Sequence, residues 1–296
     1  MNKNTINKKG LTLIELMVTV LISAVVLAAV VEAFAFASKV TRDHNIRLAA
    51  NLEAQGVIDT MLPEIRMLGN GVPFYQEHFQ IAQDAMTDNT VTEPILASGT
   101  TATQLRVRLN QTGNIFIVTT NYNPAVSSTV TLFSVTGISV GDIAYMSNAT
   151  VADDDGFYGV VSAVNTATNV VTFASGYQYS NDTATFNAGS IFEIVPTITY
   201  TSTASFGGIT RNDGSGAVAL SASGEFTLEY MNESNAAITL PLVASRADPL
   251  PASAIQNVKY IRITVQVRSL KQLSTGAYYT ATLLQDVGVR NLKYKY

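Results

Sequence analysis

Between Leu16 and Val31 the chain carries no charged residue, and Glu15 stands immediately before that run. From Leu11 to Ala37 the segment is apolar except for Thr12, Thr19, Ser23 and the acids Glu15 and Glu32. A bilayer needs about 20 predominantly apolar residues per helix, and Leu11–Ala37 is long enough. A carboxylate inside such a helix costs about 2.5–3.5 kcal/mol at its centre. Any fold for this chain must therefore place one long apolar helix and give Glu15 something that offsets its charge.

Lys3, Lys8 and Lys9 precede the run, whereas Lys39, Arg42, Asp43 and Arg47 follow it with mixed sign. The cationic leading segment puts the N-terminus in the cytoplasm and the remainder outside it. A cleaved secretory signal has a shorter apolar region followed by a small-residue cleavage site. Here the run is longer, and the glycine, Gly10, lies before it.

Only 14% of residues are charged, against about 25% in ordinary soluble proteins. The net charge of −4 supplies no general attraction for nucleic acid or anionic lipid, though a local basic patch stays open. The absence of cysteine excludes disulfides, thiolate metal sites and cysteine nucleophiles. With His44 and His78 the only histidines, most triad and metal chemistry is also removed. Neither a nucleophile elbow nor a phosphate loop occurs, so an enzyme is not expected.

The stretch KKGLTLIELMVTVLISAVV, from Lys8, resembles the N-terminal signal of type IV pilins and of the pseudopilins of type II secretion. The resemblance implies that a prepilin peptidase cuts after Gly10, so that residues 1–10 are a leader, and that the new terminus at Leu11 is N-methylated. Most of the family has Phe there, so Leu11 is a conservative departure. It further implies that the Glu15 carboxylate pairs with the terminal amine of an adjacent subunit during assembly. Glu15 lies one helical turn from Leu11, on the same face. The bland alternative is an acid that only snorkels to the membrane interface.

From Ser38 to Leu68, apolar residues recur near helical spacing at Leu48, Leu52, Val57, Ile58, Met61, Ile65 and Leu68. Asn51, Glu53, Gln55, Asp59 and Glu64 are expected on the opposite surface. One stem helix over 11–68 is therefore expected, with 11–37 in the membrane. Pro63 should kink or restart it and Gly69-Asn70-Gly71 should end it. Beyond residue 72, short β-branched runs separated by turn residues predict antiparallel β structure. Ile191–Tyr200 reads as a single strand, and Gly207-Gly208 with Asn212-Asp213-Gly214-Ser215-Gly216 as a flexible loop before the last sheet. The fold class is thus α+β: a long N-terminal helix packed on an antiparallel β head, the type IV pilin fold.

PEIRMLGNG at 63–71 is similar to the end of the stem in PilW-type minor pilins, with Leu68 in place of alanine. FTLEYMNESNAAITLPL (226–242), IQNVKYIRITVQVRS (255–269) and LQDVGVRNLKY (284–294) resemble the C-terminal sheet that this group shares with J-type pseudopilins. Residues 69–94 and 197–296 are accordingly expected to form the pilin head. The Thr/Val/Asn-rich stretch 95–196 is read as an inserted β-barrel or sandwich displayed on the filament.

The resemblance implies a minor pilin that waits in the bacterial inner membrane with its head outside the cytoplasm, then joins the pilus at the cell surface. Its expected partners are major and minor pilins, the prepilin peptidase and the inner-membrane assembly platform. The alternatives are a J-type pseudopilin of type II secretion and a filament-borne adhesive or DNA-binding module. Motility, DNA uptake, adhesion and secretion stay open.

Asp153-Asp154-Asp155-Gly156 reads as a solvated turn, with Ca²⁺ as the alternative ligand and no EF-hand pattern. No other cofactor is expected. Lys259, Arg262, Arg268, Lys271, Arg290, Lys293 and Lys295, interleaved with tyrosines, read as a solvated sheet face. DNA contact during uptake is the alternative there.

Overall fold

The structure, a computed structural model, describes residues 12–72, 95–96, 99–147, 156–179, 185–242 and 252–289. Helix α1 spans Leu13–Arg66, 54 residues, or about 80 Å at 1.5 Å per residue. It continues through Pro63 as one element instead of restarting there; the Met67 N–H donates to the Pro63 carbonyl at 3.0 Å. Gly69 and Gly71, both at φ +79°, turn the chain after it. These left-handed positions favour glycine, and a Cβ on Gly71 would meet the Asn110 Cβ at 2.9 Å.

The first half of α1 is exposed along its whole apolar length. Burial begins at Ile46 and continues through Ala50, Ala54, Val57, Ile58, Met61 and Ile65. Leu48 and Leu52, expected on this face, are exposed. They lie two residues, hence about 200°, from Ile46 and Ala50. The small side chains of Ala50 and Ala54 let the sheet approach closely, so packing selected the alanines over the leucines.

Three antiparallel sheets follow. Strands β1 (Gln104–Arg108), β9 (Thr197–Thr203), β10 (Gly208–Asn212) and β11 (Ala217–Ser221) form the first, in the order β1-β9-β10-β11. Strands β12 (Gly224–Met231), β13 (Tyr260–Gln272) and β14 (Tyr278–Gly288) form the second, in sequence order. Both contribute to one core with α1, built around Met61, Ile65, Leu105, Tyr200, Phe226 and Val265. Alternation along β13 buries Ile261, Ile263, Val265 and Val267 and turns Arg262, Thr264, Gln266 and Arg268 to the other face.

The third sheet runs β2 (Ile115–Ile117), β8 (Ile191–Ile194), β4 (Ile143–Ser147), β5 (Gly156–Asn165), β6 (Val170–Phe173), β3 (Thr129–Thr131), with β7 (Gln178–Tyr179) beside β5. A Val118–Leu132 bridge joins its two ends, with Thr119 N–H donating to Thr131 at 3.0 Å and Phe133 N–H to Ile117 at 2.9 Å. The sheet thereby closes on itself as a small barrel. Phe157, Phe173, Phe186 and Phe192 fill it. Gly159 is there because a Cβ would meet the Phe173 ring at 2.8 Å.

Two expectations about strands are revised. Ile191–Tyr200 divides at Val195-Pro196 into β8 of the barrel and β9 of the first sheet, since proline cannot continue a ladder. The stretch 207–216, expected as a flexible loop, contains β10 and the turn into β11. The architecture is α+β and pilin-like: one long N-terminal apolar helix packed on antiparallel sheets.

Candidate functional site: the stem and its anchors

Thr12 caps the stem. Its backbone N–H and hydroxyl both donate to the Glu15 carboxylate at 2.9 Å, while the Glu15 N–H donates back to the Thr12 hydroxyl at 3.4 Å. This is a capping box at the positive end of the helix dipole. Two donors and the dipole thus compensate the carboxylate within its own chain. Gly10 and Leu11, the residues expected to flank a cleavage position, lie outside the described residues.

Higher on the stem, side chains fasten α1 to the sheets. Arg42 donates to the Gln272 carbonyl at 3.1 Å, and Asp43 accepts from the Ser274 N–H at 2.8 Å. The Ser274 hydroxyl also donates to Asp43, and these bonds hold its carboxyl below the usual range. The Arg47 guanidinium lies 5.5 Å from the Tyr279 ring centre, whose hydroxyl bonds Asn51. Glu53 accepts from the Ser221 hydroxyl at 2.6 Å.

At the upper end, Glu64 is buried rather than solvated. Arg211 on β10 grips it with Nη2 at 2.8 Å and Nε at 3.1 Å. Tyr200 on β9 and Gln111 donate to it as well. Burial pulls the Arg211 pKa down, but bonds to Glu64 and Asp213 more than offset this and leave it raised. Asp213 is held low by Ser215 and then by Arg211. Burial pushes the Tyr200 phenol up, with Glu64 adding to the effect. Sequence reasoning missed this cluster: Glu64 and Arg211 are far apart in the chain, and Arg211 fell in the supposed loop.

On the outer face of the second sheet, Arg262 forks onto Asp286 at 2.8 and 3.0 Å, with Glu229 at 3.8 Å. Arg268 is stacked between Phe206 at 5.1 Å and Tyr278 at 5.2 Å. Lys259 and Lys271 are exposed, whereas Arg290, Lys293 and Lys295 lie outside the described residues. Asp153, Asp154, Asp155 and His78 lie outside them too, and His44 is exposed on the stem.

Residues 6–31 match the prokaryotic N-terminal methylation motif. No curated protein and no solved structure matches the chain. The motif supports a type IV pilin-like protein or pseudopilin, a structural subunit rather than an enzyme. It implies processing by a prepilin peptidase and association with other pilins, and with the apolar stem it fits membrane anchoring and a place on the pilus surface.

Proposed function

We propose that the chain is a PilW-type minor pilin that joins or primes type IV pilus assembly. The observation that carries this is the methylation motif at residues 6–31 opening a 54-residue helix whose apolar half the head leaves uncovered. Before assembly that half lies in the inner membrane, with the head outside the cytoplasm; afterwards neighbouring stems cover it. Cleavage after Gly10 frees the amine of Leu11, which is methylated, and Glu15 exchanges its Thr12 contacts for the amine of an adjacent subunit. The pairing of Arg108 with Thr197 supports a barrel inserted into the head, which this reading displays on the filament. The partners are major and minor pilins, the prepilin peptidase and the assembly platform.

Gly10→Val tests the signal: the leader should stay attached, read as the intact mass of the chain. Normal trimming of that variant would remove the assignment. Glu15→Val should enter the membrane yet drop in sheared pili by roughly a hundred- to several-thousandfold, as expected for breaking a buried pair worth about 3–5 kcal/mol. Undiminished incorporation would leave Glu15 as a cap only. Deleting the gene should abolish or thin surface pili; intact pili with lost protein secretion would favour the J-type pseudopilin instead.

A further inference from the structure

The stem and the β13–β14 hairpin enclose an open groove of about 1250 Å³, walled by α1 from Phe34 to Glu53 and by Ser269–Gln272 with Tyr278. Its lower end reaches into the apolar segment, where Phe34 and Ala37 line it. The Arg42–Gln272 and Asp43–Ser274 bonds hold the hairpin tip at a fixed height on the stem. Arg42 is five residues above Ala37, hence about 8 Å along the helix axis. A headgroup layer is about 5–8 Å thick on each side of a hydrocarbon core of about 30 Å. The tip therefore stands at headgroup height when Ala37 ends the span.

Two cations, Arg42 on the stem and Lys271 on the hairpin, line the groove from opposite walls, although the whole chain carries −4. Among the described residues the acid lining the groove is Glu53, at the upper end and engaged by Ser221, whereas Asp43 lies outside the lining and is engaged by Ser274. Lys271 makes no ion pair among the described residues. Beside it Leu270 is 74% and Tyr278 48% exposed, an apolar and an amphipathic side chain of the kind that sits at a membrane interface.

We propose that this groove seats a membrane phospholipid of the leaflet on the head's side. Its phosphate lies between Arg42 and Lys271 and its upper acyl chain lies along Phe34, Ala37 and Leu270. The seat orients the head on the bilayer before assembly and is vacated when the subunit leaves the membrane. The proposal rests on the stem being a membrane anchor.

The chain has no tryptophan, so a single introduced one is an unambiguous reporter. The full chain carrying Leu270→Trp is reconstituted in phosphatidylglycerol–phosphatidylethanolamine vesicles containing doxyl lipids labelled at several depths. Flotation first establishes that the chain is anchored, and thermal unfolding that the variant folds. Emission should be quenched most by headgroup-level and shallow labels. A control Val218→Trp, near the height of Glu64, should not be quenched. Adding Lys271→Gln should lower the preference for doxyl-labelled phosphatidylglycerol over phosphatidylcholine about fivefold, the effect of one interfacial cation.

A chain that floats with the vesicles but shows no quenching at Leu270→Trp overturns the lipid seat and leaves the anchor standing. Emission that tracks the protein-to-lipid ratio and not the label identifies a second copy in the groove, and also overturns it. Failure to float removes the anchor and the seat together.

Discussion

Glu64 shows how little a residue's character says about its surroundings. By type and helical position it belongs to a solvated flank, yet it sits at 9% exposure with four side chains around it, if its own helix is left aside: Arg211, Tyr200, Gln111 and, through Arg211, Asp213. Removing one member of a buried pair strands the other, at about 3–5 kcal/mol. Glu64→Ala should therefore destabilise the head by that amount in urea unfolding of the detergent-solubilised chain. Glu64→Met with Arg211→Leu should recover much of it, because neither charge is then left buried. A double variant no better than the single one would show that the cluster contributes packing and not charge.

The pH response follows from the same groups. Asp43, Asp213 and Asp286 are all held below their ordinary range, by Ser274, by Ser215 and Arg211, and by Arg262. A depressed carboxyl contributes its stability above the unfolded value, about 3.9, and loses it as pH falls further. Glu193 acts the other way, since burial raises it against the bond from Asn110. The thermal midpoint should fall from about pH 4 downward. Asp213→Asn should flatten that fall, and an unchanged acid limb would assign the loss to other carboxylates.

Among the elements, the stem was the most legible and the most misplaced in detail. Its length, its apolar half and its end at the glycines followed from composition and spacing. The buried face followed too from Val57 to Leu68 but failed at Leu48 and Leu52, because leucines were taken to define it there. That face instead presents Ala50 and Ala54, at 3% and 0% exposure, to the sheets. Ala54→Leu should overpack the contact and cost about 1–3 kcal/mol. Leu52→Ala, on the exposed side, should stay within about 0.5 kcal/mol in the isolated subunit. Reversal of the two effects in chemical unfolding would mean that the stem packs in another rotation.

For the whole molecule the informative feature is where the barrel leaves and rejoins the head. Arg108 at the end of β1 pairs directly with Thr197 at the start of β9, a hairpin whose loop is the entire barrel. Paired residues stand about 4.5–5.5 Å apart, so a short turn can replace everything between them. Replacing residues 110–195 by Asn-Gly should leave a folded head that still enters the membrane and is still trimmed. Under the adhesive-module alternative, attachment should vanish while pili persist. Loss of the folded head would show that Asn110, Tyr145 and Val195, which pack against the stem's closing turn, hold the two units as one.

Local chemistry made the stem legible. A charge-free apolar run and the glycines that follow the helix act over a few residues, and helix geometry converts their spacing directly into position. The α+β class and most strand positions were legible for the same reason, through local propensity and turn residues. Only the tertiary structure decided which strand joins which sheet, that Ile191–Tyr200 serves two of them, and that the supposed loop supplies Arg211 to Glu64. Those outcomes depend on residues far apart in the chain meeting, such as Ile115 with Glu193, Arg108 with Thr197 and Glu64 with Arg211. Contacts at that separation are chosen by the shape of the packed whole, and no local pattern records them.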